Sequence, residues 1–190
     1  MQRAIIIHCW EGVPEYCWYP QTKKDLEGFG FEVQVPVMPD TDMPKFGPWM
    51  ETLRKTVGVP DENLYLIGHS LGCITIMKYL ESLPEGVRIG GVVFVGGYMR
   101  SLGYEETENF FTEPLDPAKV RGKAKHFVAI QSDNDPFVPM IHGDEMRDKL
   151  GAEIITKHAM GHFSGPIDDP ASCTSLPDVA EAIKKTIATL

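Results

Sequence analysis

The sequence predicts an α/β fold in which a parallel sheet is covered by helices on both faces. Two observations point there. Short apolar, β-branched runs alternate with helical patterns along almost the whole chain. Those runs are also continuous rather than alternating between apolar and polar residues, as strands buried on both faces must be. A third observation bounds the size: 190 residues suffice for one full core and are few for two, so one domain over 1–190 is expected.

The first strand is the apolar run Ala4 to Ile7. Trp18 to Phe29 reads as a helix with Trp18, Tyr19, Leu26 and Phe29 apolar and with Gly28 and Gly30 closing it. Phe31 to Pro36 is the second strand, and Lys45 to Val57, after a Pro/Asp-rich loop, the second helix. Asn63 to Ile67 is the third strand, followed by a helix from Leu71 to about Leu83. Gly90 to Val95, Lys125 to Gln131 and Glu153 to Lys157 complete the strand series. Helices are expected over Met140 to Leu150 and Pro177 to Thr189. The one long irregular segment is Gly96 to Gly122, and a connection of that length in a compact domain is usually functional or mobile.

Hydrophobic residues make up 43% of the chain and charged residues 24%, the balance of a globular protein. With 18 basic and 27 acidic side chains the formal charge is −9. A field of that sign repels phosphate backbones and anionic lipid, so nucleic-acid binding is not expected. The apolar run before His8 is too short for a signal peptide. No stretch approaches the roughly 18 apolar residues of a membrane span. Cys9, Cys17, Cys73 and Cys173 lack C-x-x-C or zinc-type spacing, which fits reduced thiols in a cytoplasmic protein.

Gly68-His69-Ser70-Leu71-Gly72 carries the chemistry. A G-x-S-x-G pattern alone is weak, but this one follows the strand run LYLI and opens the helix CITIMKYL, as a nucleophile elbow demands. The alternative is a structural serine in a βα turn. A serine hydroxyl needs a base, and the base needs an orienting carboxylate. In elbow enzymes these follow in the order Ser, Asp, His, in loops at the C-terminal ends of strands. Two such loops are present, SDNDPFVP after the fifth strand and HAMGHF after the sixth. Asp135 is preferred over Asp133 because Pro136 stiffens the turn behind it; Asp133 then reads as a loop-stabilising acceptor. His162 is preferred over His158 because Gly161 frees the loop to aim the ring. The H-x-x-x-H spacing of these histidines lacks the following Glu and the helix of a zinc site, so no metal is expected.

Acyl transfer also needs an oxyanion hole, for which the backbone N–H of Leu71 is one candidate. The second is the N–H of Trp10, with Cys9 as runner-up. Trp10, Tyr98, Phe110, Phe111, Phe137, Met160 and Phe163 are the candidate substrate wall. Phe110 and Phe111 either cap the site as a small lid within 96–122 or anchor that segment to the core. No Lys/Arg cluster suggests a clamp for phosphate or coenzyme A.

The segments IIIHCWEG, WYPQTKKDLEGFGFEV, LIGHSLGC, SDNDPFVP and GHF, in that order, resemble the small α/β-hydrolases of the retinoblastoma-binding protein 9 and YdeN type over about Arg3 to Leu190. The resemblance implies a three-layer α/β/α reduced α/β-hydrolase fold with a six-stranded parallel sheet in the order 2-1-3-4-5-6. It implies the triad Ser70, Asp135, His162, no cofactor, and serine-hydrolase action on small-molecule acyl substrates. The L-x-C-x-E motif by which one member engages retinoblastoma protein is absent. Its nearest approach, Ile7 to Glu11, begins in a strand expected to be buried, so no protein partner is predicted. The leading expectation is a carboxylesterase working through an acyl-Ser70 intermediate. The alternatives are a noncatalytic interaction module on the same fold, or amide or thioester cleavage by the same triad.

Overall fold

The structure, a computed structural model, describes residues 1–164 and 173–188. Its strands are β1 (Arg3–Ile7), β2 (Glu32–Gln34), β3 (Leu64–His69), β4 (Ile89–Val95), β5 (Ala124–Ser132) and β6 (Glu153–Lys157). They form a six-stranded parallel sheet in the order β2-β1-β3-β4-β5-β6, the order the resemblance implies. The helices are α1 (Tyr19–Gly28), α2 (Phe46–Val57), α3 (Leu71–Glu81), α4 (Pro117–Arg121), α5 (Ile141–Leu150) and α6 (Pro177–Ala188). The expected end of the last helix, Thr189, lies outside the described residues.

Because side chains alternate along a strand, each strand feeds two cores. Ile5, Ile7, Leu66, Phe94 and Ala129 face one side, where Trp49 and Leu53 of α2, Ile74 and Met77 of α3 and Met146 of α5 cover them. Ala4, Ile6, Ile67, Val95 and Ile130 face the other, under Trp18 and Leu26 at α1 and Val179 and Ile183 of α6. The continuous apolar strand runs follow from this double coverage.

Two elements differ from expectation. β2 stops at Gln34 rather than Pro36; it is an edge strand, and Pro36 has no N–H to continue a ladder. The 96–122 connection is not wholly irregular, for it holds a 3-10 turn at Glu105–Phe110 and the short α4. The α4 start has a sequence cause: Asp116 accepts the Ala118 N–H on its side chain, and Pro117 begins the first turn.

The packing that matters most for function is where α3 meets the sheet. A Cβ on Gly72 would stand 2.2 Å from the Ile7 carbonyl oxygen, and one on Gly68 would stand 2.8 Å from the Cys73 nitrogen. Only glycine permits helix and strands to approach so closely. Gly72→Ala is therefore expected to cost about 3 kcal/mol or more through overpacking. Gly28→Ala, whose added carbon meets nothing within 4 Å, should change stability by at most about 1 kcal/mol, in the favourable direction. Equilibrium urea unfolding of the two variants checks the contrast.

Candidate active site

β3 ends at His69, and Ser70 turns the chain into α3 with φ 53° and ψ −115°. A non-glycine residue at such angles is strained, by about 1–3 kcal/mol, and persists only where its surroundings over-determine it. Here the Ser70 N–H donates to the Val95 carbonyl at 2.9 Å and the Ser70 carbonyl accepts the Cys73 N–H at 2.9 Å. The turn is thus held from β4 on one side and from α3 on the other.

The loops after β5 and β6 lie side by side and are stitched residue by residue. The side chains of Asp133, Ser132 and Asn134 accept the N–H groups of Ala159, Met160 and Gly161 at 2.9, 3.0 and 2.8 Å. The Ser132 hydroxyl in turn donates to Asn134 Oδ1 at 2.8 Å. One step further along, Asp135 Oδ2 meets His162 Nδ1 at 2.7 Å, with the Asp135 side chain fully buried. Asp135 Oδ1 is occupied by the Phe137 and Val138 N–H groups, each at 2.9 Å. Pro136 has no N–H to compete, so one carboxylate oxygen closes its own turn and the other is left for the ring. A carboxylate only accepts, so the bonded Nδ1 carries a proton, and Nε2 is the ring nitrogen that Asp135 leaves free.

The loop after β1 is equally constrained. The Cys9 carbonyl accepts from His8 Nδ1 (2.9 Å) and from the Gly12 N–H (3.1 Å), and His8 Nε2 accepts the Met38 N–H (3.1 Å). His8 can play both roles because it is neutral; burial lowers its pKa from the ordinary 6.5. The Trp10 indole donates to the Asp42 carbonyl at 3.0 Å and the Glu11 N–H to Thr41 at 2.8 Å. Asn109, in the 3-10 turn, accepts the Phe46 N–H at 2.7 Å and donates to Pro44 at 3.0 Å. Among the candidate oxyanion donors, the Cys9 N–H is taken by the Tyr19 hydroxyl at 3.1 Å. No acceptor among the described residues takes the N–H of Trp10 or of Leu71.

Ser70 and His162 border one cavity of about 320 Å³. Of the expected wall residues, Trp10, Tyr98 and Phe137 line it. Tyr98 stands beside Ser70; burial pushes its phenol pKa up, against the opposing effect of the serine hydroxyl. The other four do not line it. Phe110 is buried in the core, edge-on to Phe46 and Trp49 at 5.7 Å each, so it anchors the 96–122 segment and does not cap the site. Phe111 stacks on the back of Tyr98 at 5.9 Å. Phe163 is buried, and Met160 packs, in the core beneath α1 and α6. The His162 loop turns sharply, with φ 54° at Ala159, Gly161 and Phe163, and so aims His162 toward the cavity while Phe163 points into the core. Glu11, Tyr16, Leu102, Tyr104, Val138 and Ser164 line the cavity without having been singled out, and Cys9, the runner-up oxyanion donor, lines it too. Tyr104 had a signal, an aromatic in the one long connection. The rest had only their adjacency to the three loops.

A protein-family model described as Serine hydrolase matches residues 4–182. The chain belongs to this serine hydrolase family. Among relatives of this serine hydrolase, the Bacillus subtilis (strain 168) protein named YdeN is 31% identical over 183 residues, covering 96% of this chain and 94% of that one. Serine hydrolase RBBP9 of Rattus norvegicus is 29% identical over 154 residues, covering 80% of each. The crystal structure of the B. subtilis ydeN gene product superposes with a TM-score of 0.91 at 29% identity, over 99% of this chain and 100% of that one. Est1E from Butyrivibrio proteoclasticus, with ferulic acid bound, shares the fold at a TM-score of 0.77 and 16% identity, over 100% and 89%. No described helix is long and apolar enough to cross a membrane.

The surface pair of Asp133 and His158, 2.6 Å apart, makes a pH prediction. The Asp133 hydrogen bond and charge raise the His158 pKa above 6.5. The Ala159 N–H, and then His158, lower that of Asp133 below 3.8. The histidine's contribution to loop stability is fully present below pH 6.5 and is lost as pH rises through its raised value. The aspartate's is present above pH 3.8 and is lost as pH falls through its lowered value. In an NMR titration the His158 midpoint should lie above 6.5 and fall back toward it in Asp133→Asn. The corrected wall makes another prediction. Phe110→Ala should cost about 3–5 kcal/mol in urea unfolding, whereas Phe137→Ala, at a residue 40% exposed, should cost less than about 1 kcal/mol.

Proposed function

We propose that this serine hydrolase is a carboxylesterase acting on small or medium acyl esters through an acyl-Ser70 intermediate. The observation that carries the reading is a convergence. A serine on a strained elbow shares an apolar-walled cavity with Trp10 and with a histidine whose Nδ1 is engaged by a buried carboxylate, and the backbone N–H groups of Trp10 and Leu71 have no acceptor among the described residues. Ser70 Oγ attacks the ester carbonyl as His162 Nε2 takes its proton, and Asp135 holds the ring in the required tautomer. The N–H groups of Trp10 and Leu71 receive the developing oxyanion, a role in which each donor is worth about two to three orders of magnitude in rate. His162 then returns the proton to the leaving alcohol, and a water activated by the same nitrogen releases the acid. No step calls for a metal or cofactor.

Residues 1–190 serve in this reading as one catalytic domain. Tyr98, Leu102 and Tyr104 of the 96–122 segment form its part of the cavity wall, and Phe110 and Phe111 do not. The aromatic lining of Trp10, Tyr98, Tyr104 and Phe137 suits apolar or aryl acyl groups, in keeping with the ferulic acid bound by Est1E on the same fold. Ser70→Ala should lower p-nitrophenyl ester hydrolysis by about 10⁴-fold or more and abolish labelling by a fluorophosphonate. Asp135→Asn should cost about 10⁴-fold. Labelling that survives Ser70→Ala sinks the assignment. Turnover of amides or thioesters in preference to matched esters replaces the ester reading with one on the same triad. Absence of all hydrolysis favours a noncatalytic interaction module.

A further inference from the structure

Tyr19, at the start of α1, and His69, immediately before the nucleophile, take no part in the steps above, yet both are wholly buried and bonded to one another. The Tyr19 hydroxyl lies 2.6 Å from His69 Nδ1 and accepts the Cys9 N–H at 3.1 Å. His69 Nε2 lies 2.7 Å from the backbone carbonyl oxygen of His162. The two ends set the polarity of this chain. A carbonyl oxygen can only accept, so His69 Nε2 carries a proton. Burial, with the nearby His162 adding to it, brings the His69 pKa down to about 3, so the ring is neutral and Nδ1 holds a lone pair. The Tyr19 O–H must then donate to Nδ1, which leaves the Tyr19 oxygen to accept from Cys9. Every hydrogen bond runs the same way, from the Cys9 N–H through Tyr19 and His69 to His162.

We propose that Tyr19 and His69 are positioning residues that lock the oxyanion loop and the base loop onto the nucleophile elbow through this one-way hydrogen-bonded chain. The proposal rests on the Ser70, Asp135, His162 reading above. Its consequences are local and specific. Holding the Cys9 N–H away from the cavity leaves Trp10 as the donor available after β1. Holding the His162 carbonyl fixes the backbone of the base itself at the point where the chain turns into the left-handed Phe163. The His69 ring also lies against the His162 ring, centroids 5.3 Å apart, and Trp18 closes its other surroundings at 5.6 Å. Neither Tyr19 nor His69 lines the cavity, so both act through the residues they hold. A misplacement of about 1 Å at such a site costs about 10²-fold in rate.

The test compares Tyr19→Phe, His69→Leu and His69→Gln with the wild-type protein, using p-nitrophenyl butyrate and rates normalised to folded protein. Tyr19→Phe and His69→Leu should lower kcat about tenfold or more with KM changed less than about threefold. His69→Gln should recover most of the loss, since its amide can donate to the His162 carbonyl and accept from Tyr19. A kcat within about twofold of wild type in the first two variants, a loss carried by KM, or equal losses in the Leu and Gln variants overturns the proposal. Nitrogen-15 NMR of the wild-type protein needs no variant: His69 should show a protonated Nε2 and a bare Nδ1 at neutral pH. An Nδ1–H tautomer or a doubly protonated ring overturns it. Hydrolysis that survives Ser70→Ala defeats the triad reading alone, and the nitrogen-15 result then still decides the polarity of the chain.

Discussion

Helix α3 reaches its place beneath the cavity because nothing projects from Gly68 or Gly72. The separation that a side chain at Gly72 would have to occupy, 2.2 Å from the Ile7 carbonyl, is far inside any van der Waals contact. With helix and strands that close, the single residue left to join β3 to α3 has no relaxed conformation open to it. Ser70 takes up the difference in a positive φ. Ser70 thereby borders the cavity, and the first N–H of α3, that of Leu71, has no acceptor among the described residues. Tight packing, backbone strain and the placing of Ser70 at the cavity are one constraint seen at three scales.

The second constraint is that loops from different strands have to agree to within a fraction of an ångström. The parallel register of β5 and β6, with Ser132 opposite Lys157, starts the two loops level with one another. Three consecutive side chains then meet three consecutive N–H groups before Asp135 meets His162. This is why a sequence such as SDNDP is informative beyond Asp135 itself. Ser132, Asp133 and Asn134 satisfy the backbone of a loop whose alternating left-handed residues leave its N–H groups with no partners in regular structure.

Much of this was legible in the sequence. Continuous apolar strands, glycines two positions either side of Ser70, and an Asp and a His in the loops after β5 and β6 are all local patterns with direct physical causes. The strand order came with the resemblance and agrees with the structure. What was not legible depends on direction rather than on identity. Phe110 and Phe163 are aromatic and adjacent to functional loops, as expected of a wall, but a 3-10 turn and a positive φ send them into opposite cores. In an irregular segment no period tells which way a side chain points. The roles of Tyr19 and His69 were hidden for a related reason. Each looks like an ordinary residue of its element, and only the tertiary fold brings Cys9, Tyr19, His69 and His162 into line.

The stretch from Pro39 to Phe46 has an influence out of proportion to its lack of regular structure. Through Asp42 and Thr41 it holds the Trp10 loop, and through Pro44 and Phe46 it holds Asn109 of the 3-10 turn. Two walls of the cavity that come from distant parts of the chain thus share one buttress. The two walls are therefore coupled through 39–46, and neither rests on its own loop alone. A graft that imports a new 96–122 segment without its matching 39–46 partner would leave the loop after β1 and the new wall sharing a support built for another partner.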